Sequence, residues 1–138
     1  MTTDQNTTAA EMAMRRYLAD YVETATPAQR LLLLFDSIAK DFVGARLAFE
    51  EKNLEQINNR LIHAQEILFA LRDPLDQSSE LGKSLASLYS FCLDRLIMAN
   101  LRKQISYLDE VQPLIEQVAA ANRIVAAAMA NPSEAIRV

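Results

Sequence analysis

Four stretches of this sequence repeat apolar residues at spacings of three and four, the period of an α-helix that buries one face. The second stretch is the most regular and matches the a and d positions of a bundle helix. Its six apolar positions are Leu54, Ile57, Leu61, Ala64, Leu68 and Leu71. The stripe of the third stretch includes Leu81, Leu85 and Leu96, and the stripe of the fourth includes Leu108, Ile115 and Val125. The pattern predicts long helices over residues 27–51, 54–72, 80–101 and 104–131.

Composition supports a fold made only of helices. The chain of 138 residues holds 2 glycines and no tryptophan, and 51% of its residues are hydrophobic. A sheet protein would need more turn-forming glycine, and this length suits one domain with its own core. Because the predicted connections are short, consecutive helices should run antiparallel. We therefore expect an all-α, antiparallel up-down four-helix bundle with a short N-terminal helical segment.

The polar ends of the chain set the domain limits. Residues 1–9 are polar and rich in threonine, which predicts disorder. The bundle domain is expected over residues 10–131, its N-terminal segment over 10–25, and a C-terminal tail over 132–138. Within the N-terminal segment, a short helix would place apolar side chains on one side, namely Met14, Tyr17, Leu18 and Tyr21.

Residues that start, end or bend helices mark the boundaries. Thr26 can cap the first helix, with Gln29 reaching back to it, and Pro27 suits the first helical position. Asn53 resembles a second N-cap. Pro113 lies inside the fourth helix, where a missing backbone bond predicts a kink.

Charge and cysteine content narrow the classes of partner. The net charge of −4 leaves no basic footprint for nucleic acid, and no apolar run is long enough for membrane insertion. The single cysteine, Cys92, cannot form an internal disulfide. These features favour a cytoplasmic protein.

We find no pattern typical of catalysis, of a metal site or of a bound cofactor. A di-metal bundle needs Glu-x-x-His pairs, whereas this chain has one histidine, His63, preceded at three residues by Arg60. Cys92 falls on the apolar stripe of the third helix, as a small core residue would. We therefore expect a protein that is not an enzyme.

The start of the first helix is more apolar than one buried face requires. Five consecutive apolar side chains, residues 31–35, point to every side of that helix. Another chain should cover the surplus, and either a different protein or a second copy in a weak homodimer would serve. Tyr89 fits either the core or such a groove. The candidate partner-binding residues are Met14, Tyr17, Tyr21, Leu31, Leu32, Leu33, Phe35 and Tyr89.

Two polar positions on the third helix are assigned structural roles. Arg95 lies beside the apolar stripe, and Asp36 is the carboxylate closest to the apolar run of the first helix. We expect an Asp36–Arg95 ion pair between these helices rather than a binding site. Asn100 follows the last apolar turn, where asparagine commonly caps carbonyls or takes the left-handed conformation.

An ordered set of short motifs resembles the FliS family, the flagellin-specific export chaperones. The similarity begins with Tyr17 and the segment 22–27, which correspond to the family's Tyr and V-x-T-A-S-P-like opening. It covers roughly residues 17–120. The remaining matches are Leu34-Phe35-Asp36, residues 64–68, Leu75-Asp76, Leu88-Tyr89, Arg95-Leu96 and Ala99-Asn100. The chain departs from the family at Ser37, which replaces the glycine of L-Y-D-G, and at Pro113.

The resemblance implies a function that fits the surplus apolar surface. FliS proteins are four-helix bundles of the bacterial cytoplasm that bind the disordered C-terminal segment of flagellin. They prevent its premature polymerisation and help to deliver it to the flagellar type III export gate. The family links the N-terminal tyrosine region, here Tyr17, to contact with an export gate component. The same segment could also cover the apolar surface before flagellin binds.

Overall fold

The computed structural model describes residues 9–10, 12–13 and 27–130. Residues 9–10 and 12–13 are helical, and four long helices follow. Helix α1 is Pro27–Glu50, α2 is Leu54–Arg72, α3 is Glu80–Arg102 and α4 is Ser106–Ala130. The predictions for residues 1–8 and 132–138, for the capping residue Thr26, and for Met14, Tyr17, Leu18 and Tyr21 lie outside the described residues.

The four helices form a ring in which each packs against its neighbours in sequence, and α4 closes the ring against α1. Polar contacts give the directions. Asn100, near the end of α3, donates to Asn58, near the start of α2, over 2.9 Å. Arg46, late in α1, forms a 2.8 Å ion pair with Asp109, early in α4. Neighbouring helices are therefore antiparallel, and the expected all-α bundle is confirmed.

Most helix boundaries follow the residues that predicted them. Pro27 is the first residue of α1, and the Asn53 side chain accepts a 3.1 Å hydrogen bond from the Gln56 amide at the start of α2. Asp73 ends that helix as its C-cap. Helix α4 continues through Pro113 without interruption.

The end of α3 differs from the prediction for Asn100. The helix runs through Arg102, and Lys103 takes the left-handed conformation with φ 51°. Asn100 instead ties α3 to α2 through Asn58 and accepts from the Lys103 ammonium. The left-handed residue falls at Lys103 because the helix continues beyond the last strongly apolar turn.

The core runs along the whole bundle and contains most of the predicted apolar stripes. Its largest fully buried side chains are Phe42, Ile38, Ile57, Leu61, Leu68, Leu96, Leu108, Val111 and Cys92. Two predicted core positions at helix starts are wrong, since Leu54 is 60% exposed and Leu81 is 71% exposed. At the start of α3 the inward face is instead provided by the small residues Gly82 and Ala86.

The α2–α3 loop sets the position of the start of α3. The Ser79 hydroxyl donates to the Asp76 carbonyl over 3.0 Å and accepts from the Gly82 amide over 3.0 Å. A Cβ on Gly82 would lie 1.8 Å from that carbonyl oxygen, so only glycine fits. Hydrogen bonds from the Ser78 hydroxyl and amide lower the pKa of the Asp76 carboxyl. This loop therefore folds closely over the first turn of α3.

None of the helices in the described ranges has the length and apolar character needed to cross a membrane.

Candidate functional site, an apolar groove at one end of the bundle

An apolar groove of about 430 Å³ opens at the end of the bundle where α1 and α3 begin and α2 and α4 end. All four helices contribute side chains to it, together with the loop after α2. We call this site the apolar groove. Its lining residues are Leu31, Phe35, Leu71, Leu75, Leu81, Leu85, Tyr89, Gln117, Val118, Ala121, Asn122 and Val125.

The apolar groove has a buried floor and an exposed rim. Phe35 and Tyr89 on the floor are only 4% and 3% exposed and belong to the core. Leu81 and Val125 on the rim are 71% and 53% exposed. A concave apolar surface on a rigid floor suits apolar side chains of another chain, which the exposed rim would enclose.

Apart from Tyr89, only two of the lining residues are polar, and one of them has an unused hydrogen-bond donor. Gln117 is exposed to solvent, whereas Asn122 is half-buried. The Asn122 amide nitrogen Nδ2 is shielded from water and finds no acceptor among the residues that the structure describes. Such a group lowers stability, because it has lost its bonds to water without replacement.

Three of the predicted partner-binding residues meet in the apolar groove. Leu31, Phe35 and Tyr89 come from two helices and line the same surface. Leu32 and Leu33 are half-buried and are not among its lining residues. The run of apolar residues in α1 is thus divided among the core, the groove and the side of the helix.

Sequence reasoning assigned other groove residues to the core. Leu81, Leu85 and Val125 continue apolar stripes that are buried further along their helices. A stripe that reaches the end of its helix also reaches the end of the bundle, where no further layer covers it. The position of these residues in the first or last turns was the signal that could have identified them.

The predicted Asp36–Arg95 ion pair is wrong. Helices α1 and α3 occupy opposite corners of the ring, so residues at their polar edges do not meet. Asp36 is exposed on the α1–α4 side. Arg95 lies 3.5 Å from Asp94 and packs over the rings of Phe91 and Tyr107.

Cys92, the one cysteine of the chain, does not lie in a reactive setting. Cys92 is completely buried, and burial raises the pKa of its thiol to about 11, which leaves little of the nucleophilic thiolate at neutral pH. Burial, with a contribution from Cys92, also raises the pKa of Tyr89 to about 12. His63 is hydrogen-bonded to Asp41. Within the described ranges, no three His, Cys, Asp or Glu side chains are close enough to hold a metal ion.

Comparison with known proteins shows the family of the chain. The family model described as "Flagellar protein FliS" matches residues 9–129. The flagellar secretion chaperone FliS of Bacillus subtilis is 33% identical over 96 residues, which cover 70% of this chain and 72% of the relative. The flagellar secretion chaperone FliS of Escherichia coli is 35% identical over 101 residues, covering 71% and 74%. The flagellar secretion chaperone FliSB of Pseudomonas aeruginosa is 30% identical over 115 residues, covering 79% and 91%. The chain therefore belongs to the FliS family of flagellar proteins.

Proposed function

We propose that this protein is a flagellar secretion chaperone of the bacterial cytosol that binds the disordered C-terminal segment of flagellin in the apolar groove. Bound there, the flagellin segment cannot polymerise early and can be delivered to the export gate. The observation that carries the proposal is the groove itself, an apolar surface contributed by all four helices of a FliS-family bundle.

The physical chemistry of the groove suits a client that is disordered when free. Such a segment can fold on an apolar surface as an amphipathic helix, and the burial must compensate for its loss of conformational entropy. Each large apolar side chain that becomes fully buried contributes about 1.5–3 kcal/mol. A few such side chains in the apolar groove supply the free energy that ordering requires.

In this proposal the N-terminal segment has two roles that alternate. Met14, Tyr17 and Tyr21 cover apolar surface before the client arrives, and the region around Tyr17 contacts an export gate component afterwards. The support is the apolar side of that segment in the sequence and the family's use of its N-terminal tyrosine region.

The test is calorimetric titration with the C-terminal peptide of flagellin from the same organism. Leu81 and Leu101 are both on α3 and are 71% and 75% exposed, but only Leu81 lines the groove. We expect Leu81→Glu to weaken binding at least about tenfold, because a carboxylate would be desolvated there. The matched control Leu101→Glu should bind as the unmodified protein does.

Two results would contradict the proposal. One is that the unmodified protein, at tens of micromolar, shows neither binding heat nor a change in heat capacity when the titration is run at two temperatures. That concentration corresponds to a binding free energy of about −6 to −7 kcal/mol. The other is an equal loss of affinity in both variants, because this would place the client outside the apolar groove.

A further inference from the structure

A second cleft lies on the outer side of α1 and α2, away from the apolar groove. It is an open depression of about 710 Å³ and shares no lining residue with the groove. We call it the polar cleft. Its lining residues are Ser37, Lys40, Asp41, Gln56, Asn59, Arg60 and His63.

The polar cleft is organised around a buried carboxylate. Asp41 is only 3% exposed. Its Oδ1 accepts from Arg60 Nη1 over 3.5 Å, and its Oδ2 lies 2.5 Å from His63 Nδ1. Both partner side chains remain about half exposed, at 45% and 52%.

This arrangement is a costly way to hold two helices together. Removing a carboxylate from water costs several kcal/mol, and a well-packed apolar residue at the same place would often stabilise the bundle as well or better. What Asp41 adds is orientation, because it holds one nitrogen of Arg60 and one of His63 while both side chains stay about half exposed in the lining of the cleft.

Gly44 makes room for the arginine. A Cβ at this position would lie 2.5 Å from Arg60 Nε and 2.9 Å from Arg60 Cζ. Alanine would otherwise be the better helix residue by about 1 kcal/mol. The glycine therefore permits the Arg60 side chain to lie against α1 beside Asp41.

The charge of the polar cleft is opposite to that of the whole protein. The chain carries a net charge of −4, yet Asp41 is the single carboxylate among the lining residues and is already bonded. Arg60 and Lys40 supply positive charge. Ser37, Gln56, Asn59 and His63 add hydrogen-bonding groups.

We propose that the polar cleft is a docking surface for an acidic segment of a protein partner. The α2 residues of the cleft span positions 56–63, which is about 10 Å of helix at about 1.5 Å per residue. A row of donors that long matches successive carboxylates of a peptide better than one compact anion. Arg60 binds one carboxylate through its remaining terminal nitrogen, since Nη1 already faces Asp41, and Lys40 attracts the next.

This docking surface does not depend on the proposed flagellin site, because the two share no residue. An acidic partner and a client in the apolar groove could therefore be held at the same time. Leu81→Glu should leave binding at the polar cleft unchanged, so a failure of one proposal is distinguishable from a failure of the other.

The experiment measures fluorescence anisotropy of a labelled peptide of alternating Glu and Ala at low salt, with a Gln and Ala peptide as the uncharged control. We expect the acidic peptide alone to bind. Lys40→Gln and Arg60→Gln should each weaken binding about fivefold or more, whereas Arg102→Gln, at an exposed arginine on α3, should have no effect. Gly44→Ala should also weaken binding, because it displaces Arg60 without changing the charge.

Three outcomes would overturn the proposal. The first is that the acidic peptide does not bind. The second is that Arg102→Gln weakens binding of the acidic peptide as much as Lys40→Gln does, because this would show a general attraction to positive charge. The third is that inorganic phosphate displaces the peptide and binds the cleft with an affinity equal to that of the peptide, because this would show a site for a compact anion. Since Arg60→Gln leaves Asp41 without one partner, its folding is checked by circular dichroism, and Lys40→Gln tests the cleft without touching that pair.

Discussion

At the scale of single residues, Gly82 shows how closely backbone segments approach near the apolar groove. The Asp76 carbonyl occupies the place of a side chain at position 82. Gly82→Ala must therefore push the α2–α3 loop away, and we expect a loss of about 1–3 kcal/mol in the free energy of unfolding. Urea denaturation measures this loss.

The matched control for that substitution is Gly44→Ala. At this position the added Cβ meets only the flexible side chain of Arg60, which can move. The better helix propensity of alanine offsets the disturbance, so the free energy of unfolding should stay within about 1 kcal/mol. A larger loss at position 44 than at position 82 would contradict this account of the loop.

Asn122 gives a second prediction at the same scale. Its amide nitrogen is buried without an acceptor in the described part of the chain. We expect Asn122→Leu to raise the free energy of unfolding by about 1 kcal/mol, because an unpaired donor is replaced by an apolar group. The control Gln117→Leu alters an exposed residue of the same groove and should change stability by less than about 0.5 kcal/mol. Destabilisation by Asn122→Leu in urea denaturation would show that the amide is paired after all.

Individual residues also show where sequence reasoning reached its limit. Asp41 is the residue that it missed, although position 41 lies three residues after Ile38 and so falls on the apolar face. Asp36 was chosen instead for an ion pair with Arg95, because it follows the apolar run directly. The spacing of residues along one helix does not reveal which other helix faces them. For this reason the sequence predicted neither the contacts of Asp41 with α2 nor the absence of an Asp36–Arg95 pair.

At the scale of helices, most of the structure was readable from the sequence. The apolar period, Pro27 and Asn53 predicted the number of helices and most of their boundaries to within one or two residues. The apolar groove could not be predicted from the sequence, because Leu81 and Leu85 continue the same apolar stripe as the buried Leu96. A stripe gives a face of a helix, whereas burial also depends on how far each helix extends beyond its neighbours.

Helix α4 contains a proline, Pro113, in its interior. Pro113 is exposed and lacks the N–H that would donate to the Asp109 carbonyl. We expect Pro113→Ala to stabilise the protein by about 1–3 kcal/mol, because the bond is restored and the ring is removed. Thermal unfolding followed by circular dichroism measures the change, with exposed Glu110→Ala as the control. A lower melting temperature in Pro113→Ala would indicate that the bundle depends on the proline.

At the scale of the whole molecule, the groove couples client binding to the stability of the fold. All four helices line the groove, so a bound client contacts all of them at once. A ligand that binds only the folded state at 100 times its dissociation constant adds about 2.7 kcal/mol. We therefore expect the flagellin C-terminal peptide to raise the melting temperature of the unmodified protein more than that of Leu81→Glu, for which tenfold weaker binding leaves about 1.4 kcal/mol. An equal rise in both would place the peptide elsewhere.

The up-down connectivity has a consequence for the electric field at the groove. It brings the N-termini of α1 and α3 and the C-termini of α2 and α4 to the same end of the bundle. Each helix macrodipole places about half a positive charge at its N-terminus and half a negative charge at its C-terminus, so the four contributions largely cancel. The groove end therefore attracts neither anions nor cations through its backbone. Client affinity there should change little with ionic strength, while binding at the polar cleft should weaken as salt is added.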